Sequence, residues 1–409
     1  MSINEMKLFL GFNLWMSDVK LPNIRDYWSM DPFICTSGFR KVISRDRFIE
    51  ILDNLHVSNP NEPENPNDKL HKIRPMLEML VSSFQWHWTP GNQLVIDEDV
   101  CSFKGRSILK QYLPAKPHKW GFGVWKMCDS SGYLYNFDVY QGKQEPRQNY
   151  DDPTIGEKVV YHLLQRIEEK PPTPIHLFVD NFFTSLRMLV ELKARHIYAT
   201  GTIRKTRVGM PREKIDATKR KPQGYTSSLL MDKTNILLTT WVDTKLLIVA
   251  STAFGTGQSF VSRWNGSEHE QRSCPQSVKS YIENMGFVDH HNQQIELINM
   301  HRKCYKWWHS LFFYFISLVV ANAWAIHRKS TTTKPLSLRK FTRSIYQTLL
   351  KECLDFTYGR VQSVHELQST KHRGHCAYCS SKGRTYLVCH RCNVHLHRTC
   401  FGPHHENMK

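Results

Sequence analysis

Five cysteines gather near the C-terminus at spacings that suit a metal. Cys376-x2-Cys379 is followed by Cys389-x2-Cys392, and then by His395, His397, Cys400, His404 and His405. Two Cys-x2-Cys knuckles offer four thiolates for tetrahedral zinc, and further Cys and His ligands follow within about a dozen residues. One zinc takes four ligands, and this cluster holds more. Two zinc ions in an interleaved cross-brace, as in RING or PHD modules, are the economical account. The expected ligands are Cys376, Cys379, Cys389, Cys392, His397, Cys400 and His405. His365, His372 and His375 compete for the eighth position. So short a piece with so few apolar residues needs metal to fold. Such modules bind DNA, RNA, peptides or partner domains, so the cluster alone does not assign a function.

Three isolated carboxylates form a second constellation. Asp97 follows the apolar run Leu94-Val-Ile, and Asp180 follows His176-Leu-Phe-Val. An acid at the end of a buried strand stands at the sheet edge, where α/β proteins place their sites. Two such strands can bring carboxylates around a divalent ion. A third from a helix would complete a two-metal site for phosphoryl transfer on nucleic acid. Asp289, in Gly286-Phe-Val-Asp-His-His-Asn, is the candidate. Turn and cap acids have the same pattern, and pattern alone leaves both open.

Elements must position these groups, and their order suggests how. Asn4 to Trp15, Arg45 to Leu55 and Leu77 to Trp86 read as helices, broken by the Pro/Asn-rich stretch 58–67. From Gln93 the chain turns strand-like, rich in aromatic and β-branched residues. Strands near 94, 121, 133, 176 and 198 alternate with helices at Gly156 to Glu168 and Leu186 to Ala194. That alternation predicts an α/β core. Residues 206–265 break it with a basic loop and further strands, read as a β-rich insertion. Helices return from Ser277 to Arg328 and from Phe341 to Leu354.

Composition narrows the function classes. The 409 residues are 40% hydrophobic and 22% charged, a globular balance. Lys and Arg number 55 against 37 Asp and Glu, so the net charge is +18 and a polyanionic partner is expected. Eleven cysteines, an odd number with five clustered, read as a reducing compartment rather than a disulfide framework. No secretory signal is visible. Leu311 to Ile326 is about 16 residues, short of the ~20 that span a bilayer, and reads as a core helix.

The residues around the carboxylates resemble piggyBac-type transposases. Ile96-Asp-Glu-Asp-Val-Cys-Ser-Phe-Lys-Gly-Arg and the following Gln111-Tyr-Leu-Pro-Ala-Lys-Pro-His-Lys-Trp-Gly look like the family's first catalytic block. Phe178-Val-Asp-Asn-Phe-Phe-Thr-Ser-Leu looks like the second, with Tyr198-Ala-Thr-Gly-Thr-Ile-Arg-Lys after it. Val288-Asp289, Lys306-Trp-Trp-His-Ser-Leu-Phe-Phe, Asn322 and Ala323 look like the third block and its helix. The match runs from about Met6 to His405 and includes the cysteine cluster.

The resemblance implies an RNase H-like catalytic core, residues 91–205 and 266–355, interrupted by the insertion 206–265. It implies an N-terminal helical dimerisation and DNA-binding region at 1–90, a linker at 356–371 and a zinc domain at 372–409. It implies a nuclear, Mg²⁺-dependent cut-and-paste DNA transposase, with Asp97, Asp180 and Asp289 holding two Mg²⁺ ions. Its partners would be transposon ends and TTAA target DNA, bound as a homodimer, with no membrane. Lys104, Arg106, Lys110, Lys116, His118 and Lys119, interleaved with Tyr112 and Trp120, are then expected to hold phosphates and stack exposed bases. Arg204, Lys205 and Arg207 in the later basic loop carry the same expectation. Trp307 and Trp308 read as core.

Two positions depart from the family pattern Gly-Gly-Val-Asp-x-x-Asp. Phe287 stands at the second Gly and Asn292 at the second Asp. Phe287 removes a residue free to take positive φ, and Asn292 removes a charge expected near the metals. The family's long N-terminal region also reads as shortened here. These features point to the alternative, a domesticated, catalytically impaired transposase derivative that binds DNA or chromatin.

Overall fold

The computed structural model of the chain describes residues 1–59, 68–142, 152–165, 167, 174–231, 234–300, 304–360, 367–379, 383–389 and 392–406. His365, one of the three competitors for the eighth zinc position, lies outside them.

Four helices come first: α1 (Ile3–Asp18), α2 (Ser37–Val42), α3 (Arg45–Asp53) and α4 (Arg74–Trp86). Ser2 and Glu5 close a capping box on α1, each satisfying an N–H that the first turn leaves free. Then come β1 (Gln93–Ser102), β2 (Gln111–Tyr112), β3 (Trp120–Asp129), β4 (Leu134–Val139), α5 (Ile155–Leu164), β5 (Ile175–Val179), α6 (Leu186–Ala194) and β6 (Ile197–Thr202). The middle stretch carries α7 (Arg212–Lys219), β7 (Thr226–Met231), β8 (Ile236–Val242), β9 (Leu246–Ser251), β10 (Gln258–Trp264) and β11 (His269–Pro275). Helices α8 (Gln276–Asn284), α9 (Phe287–Ile298), α10 (Trp307–Ser330) and α11 (Leu338–Arg360) follow. A small unit of β12 (Leu367–His375), β13 (Arg384–Cys389), β14 (Val394–His395) and α12 (Phe401–Glu406) ends the described chain.

The central sheet is mixed. β1 runs antiparallel to β3 and parallel to β5, and β5 runs parallel to β6. With β4 antiparallel on β3, the order β4-β3-β1-β5-β6 is the RNase H-like arrangement. The strands after residue 206 extend this sheet. β9 pairs antiparallel with β6, and β8 and β7 continue the edge. β10 and β11 form a separate ribbon, and β12, β13 and β14 a separate small sheet.

Strand parity sorts side chains onto two faces. Leu94 and Ile96 of β1, with Leu177 and Val179 of β5, pack under α5 and α6. Val95 and Cys101 of β1, with Phe178 of β5, pack on the other face against α9 and α10. Helices α1, α3 and α4 belong to this second cluster, so the N-terminal helices share a core with the sheet. Asp97 has the parity of Val95 and Asp180 that of Phe178, which turns both toward α9.

Helix α10 is 24 residues long and apolar enough to cross a membrane. The apolar run Leu311 to Ile326 is its central part. Two-thirds of its most apolar window is nevertheless buried inside the protein, with Leu311, Phe315 and Leu318 in the main cluster. Trp308 donates its indole N–H to the carbonyl of Leu55, and Trp307 packs against the same cluster, so both serve the core.

Candidate functional site

Asp97, Asp180 and Asp289 line one cavity of about 240 Å³. The β1–β5 ladder explains how. Ile96 pairs with Val179, so Asp97 and Asp180 are the next residues on adjacent parallel strands. Asp289 lies in the first turn of α9, which crosses the same sheet face. Glu98, Lys116, Tyr281 and Met285 complete the wall.

The Asp180 turn is tightly held. The carbonyl of Asp180 accepts from the N–H groups of Phe183 and Thr184, and its Oδ1 accepts from Thr202 Oγ1 at 2.8 Å. Two glycines let neighbours close in on it. A Cβ at Gly201 would meet Thr184 Oγ1 at 2.4 Å and the carbonyl of Val179 at 2.7 Å. A Cβ at Gly156 would meet the carbonyl of Phe182 at 2.6 Å.

The carboxylates crowd one another electrostatically. Burial and the adjacent Glu98 push the Asp97 carboxyl up to about 8. Lys116 answers that charge: its Nζ donates to the Glu98 carbonyl at 2.9 Å and lies 3.3 Å from Glu98 Oε1. Burial works against the Lys116 charge, yet Glu98, Asp97 and Asp289 raise its pKa above the ordinary lysine value. The donor set is hard oxygen in a partly buried wall, which fits Mg²⁺ rather than a soft metal. The three aspartates do not close to the mutual 4.8 Å that the Cys/His groups reach.

Sequence reasoning named Lys116 only as a DNA contact and passed over Glu98, Thr202 and Tyr281. The adjacent acids in Ile96-Asp-Glu-Asp were a visible signal for Glu98. No signal in the chain marked the other two.

The remaining basic residues divide into two groups. Lys104, Arg106, His118 and Lys119 are exposed on the β1–β3 connection, and His118 stands 3.6 Å from Glu296. Lys110 Nζ donates to the Gly105 carbonyl and sits over the Trp120 ring. Arg204 and Arg207 instead reach the Asp180 turn. Arg204 Nε donates to Asn181 Oδ1 at 2.8 Å, and Arg207 Nη2 donates to the carbonyls of Asn181 and Phe182 at 2.9 and 2.7 Å. Lys205 pairs with Asp216 at 2.7 Å.

The two departures from the family pattern also find their places. Phe287 is the first residue of α9 and has no positive φ. The strain anticipated for a non-glycine there is therefore absent. Asn292 is not in the cavity wall. It accepts a hydrogen bond from Lys126, a fully buried lysine paired with Asp99.

The C-terminal unit builds two further sites. Cys376, Cys379, His397 and Cys400 bring their ligand atoms within 4.8 Å of one another, as do Cys389, Cys392 and His405. The first knuckle thus joins the third ligand pair and the second knuckle joins the last histidine, which is the cross-brace. His405 Nδ1 lies 2.6 Å from the Phe401 carbonyl, which leaves Nε2 to face Cys392 Sγ at 3.4 Å. Against the upward pull of burial, backbone N–H groups of Cys379, His397 and Tyr378 hold the Cys376 thiol below its usual range. Four soft donors in one group and three in the other fit zinc. Neither His372 nor His375 joins the three-membered group, and His375 Nε2 instead accepts from Arg384.

Known proteins share the fold and align along most of the chain. A family model described as Transposase IS4 matches residues 1–324. Human PiggyBac transposable element-derived protein 3 is 29% identical, over 98% of this chain and 70% of its own length. Human PiggyBac transposable element-derived protein 2 is 27% identical, over 99% of this chain and 70% of its own. Among solved structures, a cryo-EM piggyBac transposase synaptic complex with hairpin DNA matches with a TM-score of 0.75 and 23% identity. That match covers 98% of this chain and 87% of the other.

Proposed function

Because the chain belongs to the piggyBac transposase family, we propose that it is a nuclear, metal-dependent DNA transposase acting through Asp97, Asp180 and Asp289. The observation that carries this reading is the convergence of the three carboxylates, from two parallel strands and a helix, on one cavity. Two Mg²⁺ ions held there would activate the attacking hydroxyl and neutralise the leaving oxygen.

The chain's own residues do the positioning. Thr202 orients the Asp180 carboxylate, and Arg204 and Arg207 brace the turn that carries it. Lys116 supplies a cation at the cavity wall, placed to meet a phosphate oxygen once the aspartates are engaged. Lys104, Arg106, Lys110, His118 and Lys119 hold the DNA backbone alongside. In this reading a homodimer holds two transposon ends, and the joining target is TTAA. The zinc sites fold the C-terminal module as a further DNA- or partner-binding surface.

The fit of Phe287 and Asn292 supports a working site over an impaired one. The test is metal-dependent strand cleavage of duplex DNA by wild type and Asp97→Asn, with duplex binding measured in parallel. Cleavage with Mg²⁺ or Mn²⁺ that Asp97→Asn loses by at least ~10²-fold, at equal binding, upholds the reading. Binding without cleavage in wild type would leave the domesticated DNA-binding alternative.

A further inference from the structure

Between β1 and β3 the chain makes a hairpin of one-sided charge. From Val100 to Cys128 there is no acidic residue, while Lys104, Arg106, Lys110, Lys116 and Lys119 fall on the connection between the two strands. Two large aromatic rings stand in this basic surface. Tyr112 and Trp120 face each other across the β2–β3 rung, with ring centroids 4.7 Å apart, and are 52% and 47% exposed. Lys110 Nζ lies 5.2 Å from the Trp120 centroid.

The pair lies close to the carboxylates. Leu113 N–H donates to the Lys119 carbonyl, one rung beyond the rings, and Lys116 at the tip lines the cavity of Asp97, Asp180 and Asp289. Lys116 is four residues from each ring, so its Cα is at most ~14 Å from theirs. That is a span of a few nucleotides.

We propose that the Tyr112–Trp120 pair is a stacking platform for an unpaired base of a DNA strand lying in the carboxylate cavity. This rests on the reading of the chain as a DNA strand-processing protein. A paired base has both faces covered by its neighbours in the stack and gains nothing from the rings. An unpaired base offers a free π-face, and the surrounding cations hold its phosphates. The platform therefore selects frayed or looped ends over intact duplex. A cross-strand aromatic pair that only stabilises its hairpin would make no such distinction.

The test compares three fluorescent probes by anisotropy: a blunt duplex, the duplex with a short thymidine overhang, and the duplex with an abasic overhang of equal charge. Full-length wild type, Trp120→Ala, Trp120→Phe and Tyr112→Ala are measured, with thermal melts as a folding control. Wild type is expected to prefer the thymidine overhang over the abasic one by about tenfold. Trp120→Ala should erase that preference and Trp120→Phe should keep most of it. Equal binding of the two overhangs by wild type overturns the proposal, as does a preference that survives both alanine variants. The parallel cleavage assay separates the two readings: the platform can fail while metal-dependent cleavage stands, and the reverse.

Discussion

Lys126 and Asn292 meet 166 residues apart in the chain, Nζ to Oδ1 at 2.8 Å. The same ammonium donates to Asp99 Oδ2 at 2.6 Å, which also accepts from the Tyr314 hydroxyl at 2.7 Å. Burial raises the Asp99 carboxyl, but Lys126 and Tyr314 overcome it and hold the group at about 2. One cation and one anion balance, and Asn292 completes the lysine's hydrogen bonding without adding charge. The cluster ties β1, β3, α9 and α10 together two residues from Asp97 and one helical turn from Asp289.

Asn292→Asp should therefore destabilise the protein, because Lys126 cannot neutralise two buried carboxylates. The expected cost is about 1–3 kcal/mol near neutral pH. The new carboxyl's folded-state pKa would lie above its unfolded value, so the deficit should shrink as pH falls toward 4 and the group protonates. Urea midpoints at pH 8 and pH 5 read this directly. Mn²⁺ binding should be unchanged, since position 292 is outside the cavity wall.

Phe287→Gly makes the helix start match the family pattern and should bring no benefit. Phe287 is partly buried against the main cluster and already has helical backbone. Losing its ring and adding a helix glycine should cost about 2 kcal/mol. A variant that melts higher than wild type, or cleaves faster, would contradict the assignment of Phe287 as a packing residue.

Zinc removal should unfold the C-terminal unit alone. Among the described residues its buried apolar cluster is Cys376, Cys389 and Leu396, and two of those are candidate ligands. Elemental analysis should find two zinc ions per chain. Chelation should abolish hydrogen-exchange protection in 367–406 and leave β1, β5 and β6 protected. A module that keeps its protection after the metal is gone would count against a structural role.

His176 makes stability pH-dependent. It stands on β5 beside Phe178, with Nε2 2.8 Å from Thr200 Oγ1, and burial pushes its pKa down to about 4. The unfolded chain binds the proton first, near pH 6.5. The contribution is thus complete above pH 6.5 and is lost as pH falls from there through about 4. The loss should be about 3 kcal/mol. Denaturant melts of wild type and His176→Gln across that window should converge at acid pH.

How legible was all this from the sequence? Asp97 and Asp180 stood out because apolar runs ended on them, and parallel pairing of those runs put them side by side. The two Cys/His groups were legible because knuckle spacing is local. Asp289 had a weaker local signature, since a helical first-turn acid is commonplace, and the family resemblance strengthened a candidate that pattern alone left open. The Lys126–Asn292 contact was hidden because nothing in either neighbourhood signals a partner 166 residues away. Lys116 was read as a phosphate contact because its hairpin looks like a free basic loop, and only the folded tip places it at the carboxylates. The polar residues inside α10 looked out of place in an apolar run, and the fold absorbs Asn322 by burying it and bonding it to the backbone of Leu134.

Asp18, at the end of α1, is clasped by Arg339, Arg343 and the Tyr346 hydroxyl of α11. Phe9 and Phe12 of α1 are fully buried in a cluster that also draws on Phe313 and Tyr346. During synthesis the first helix therefore emerges from the ribosome without its docking site, and more than 300 further residues must be translated before α11 appears. Until then only Trp28, Phe39 and Phe48, from the segments just after it, can cover the aromatic face of α1. A chain cut before α11 would keep those early contacts and lose the clasp of Arg339, Arg343 and Tyr346 on Asp18.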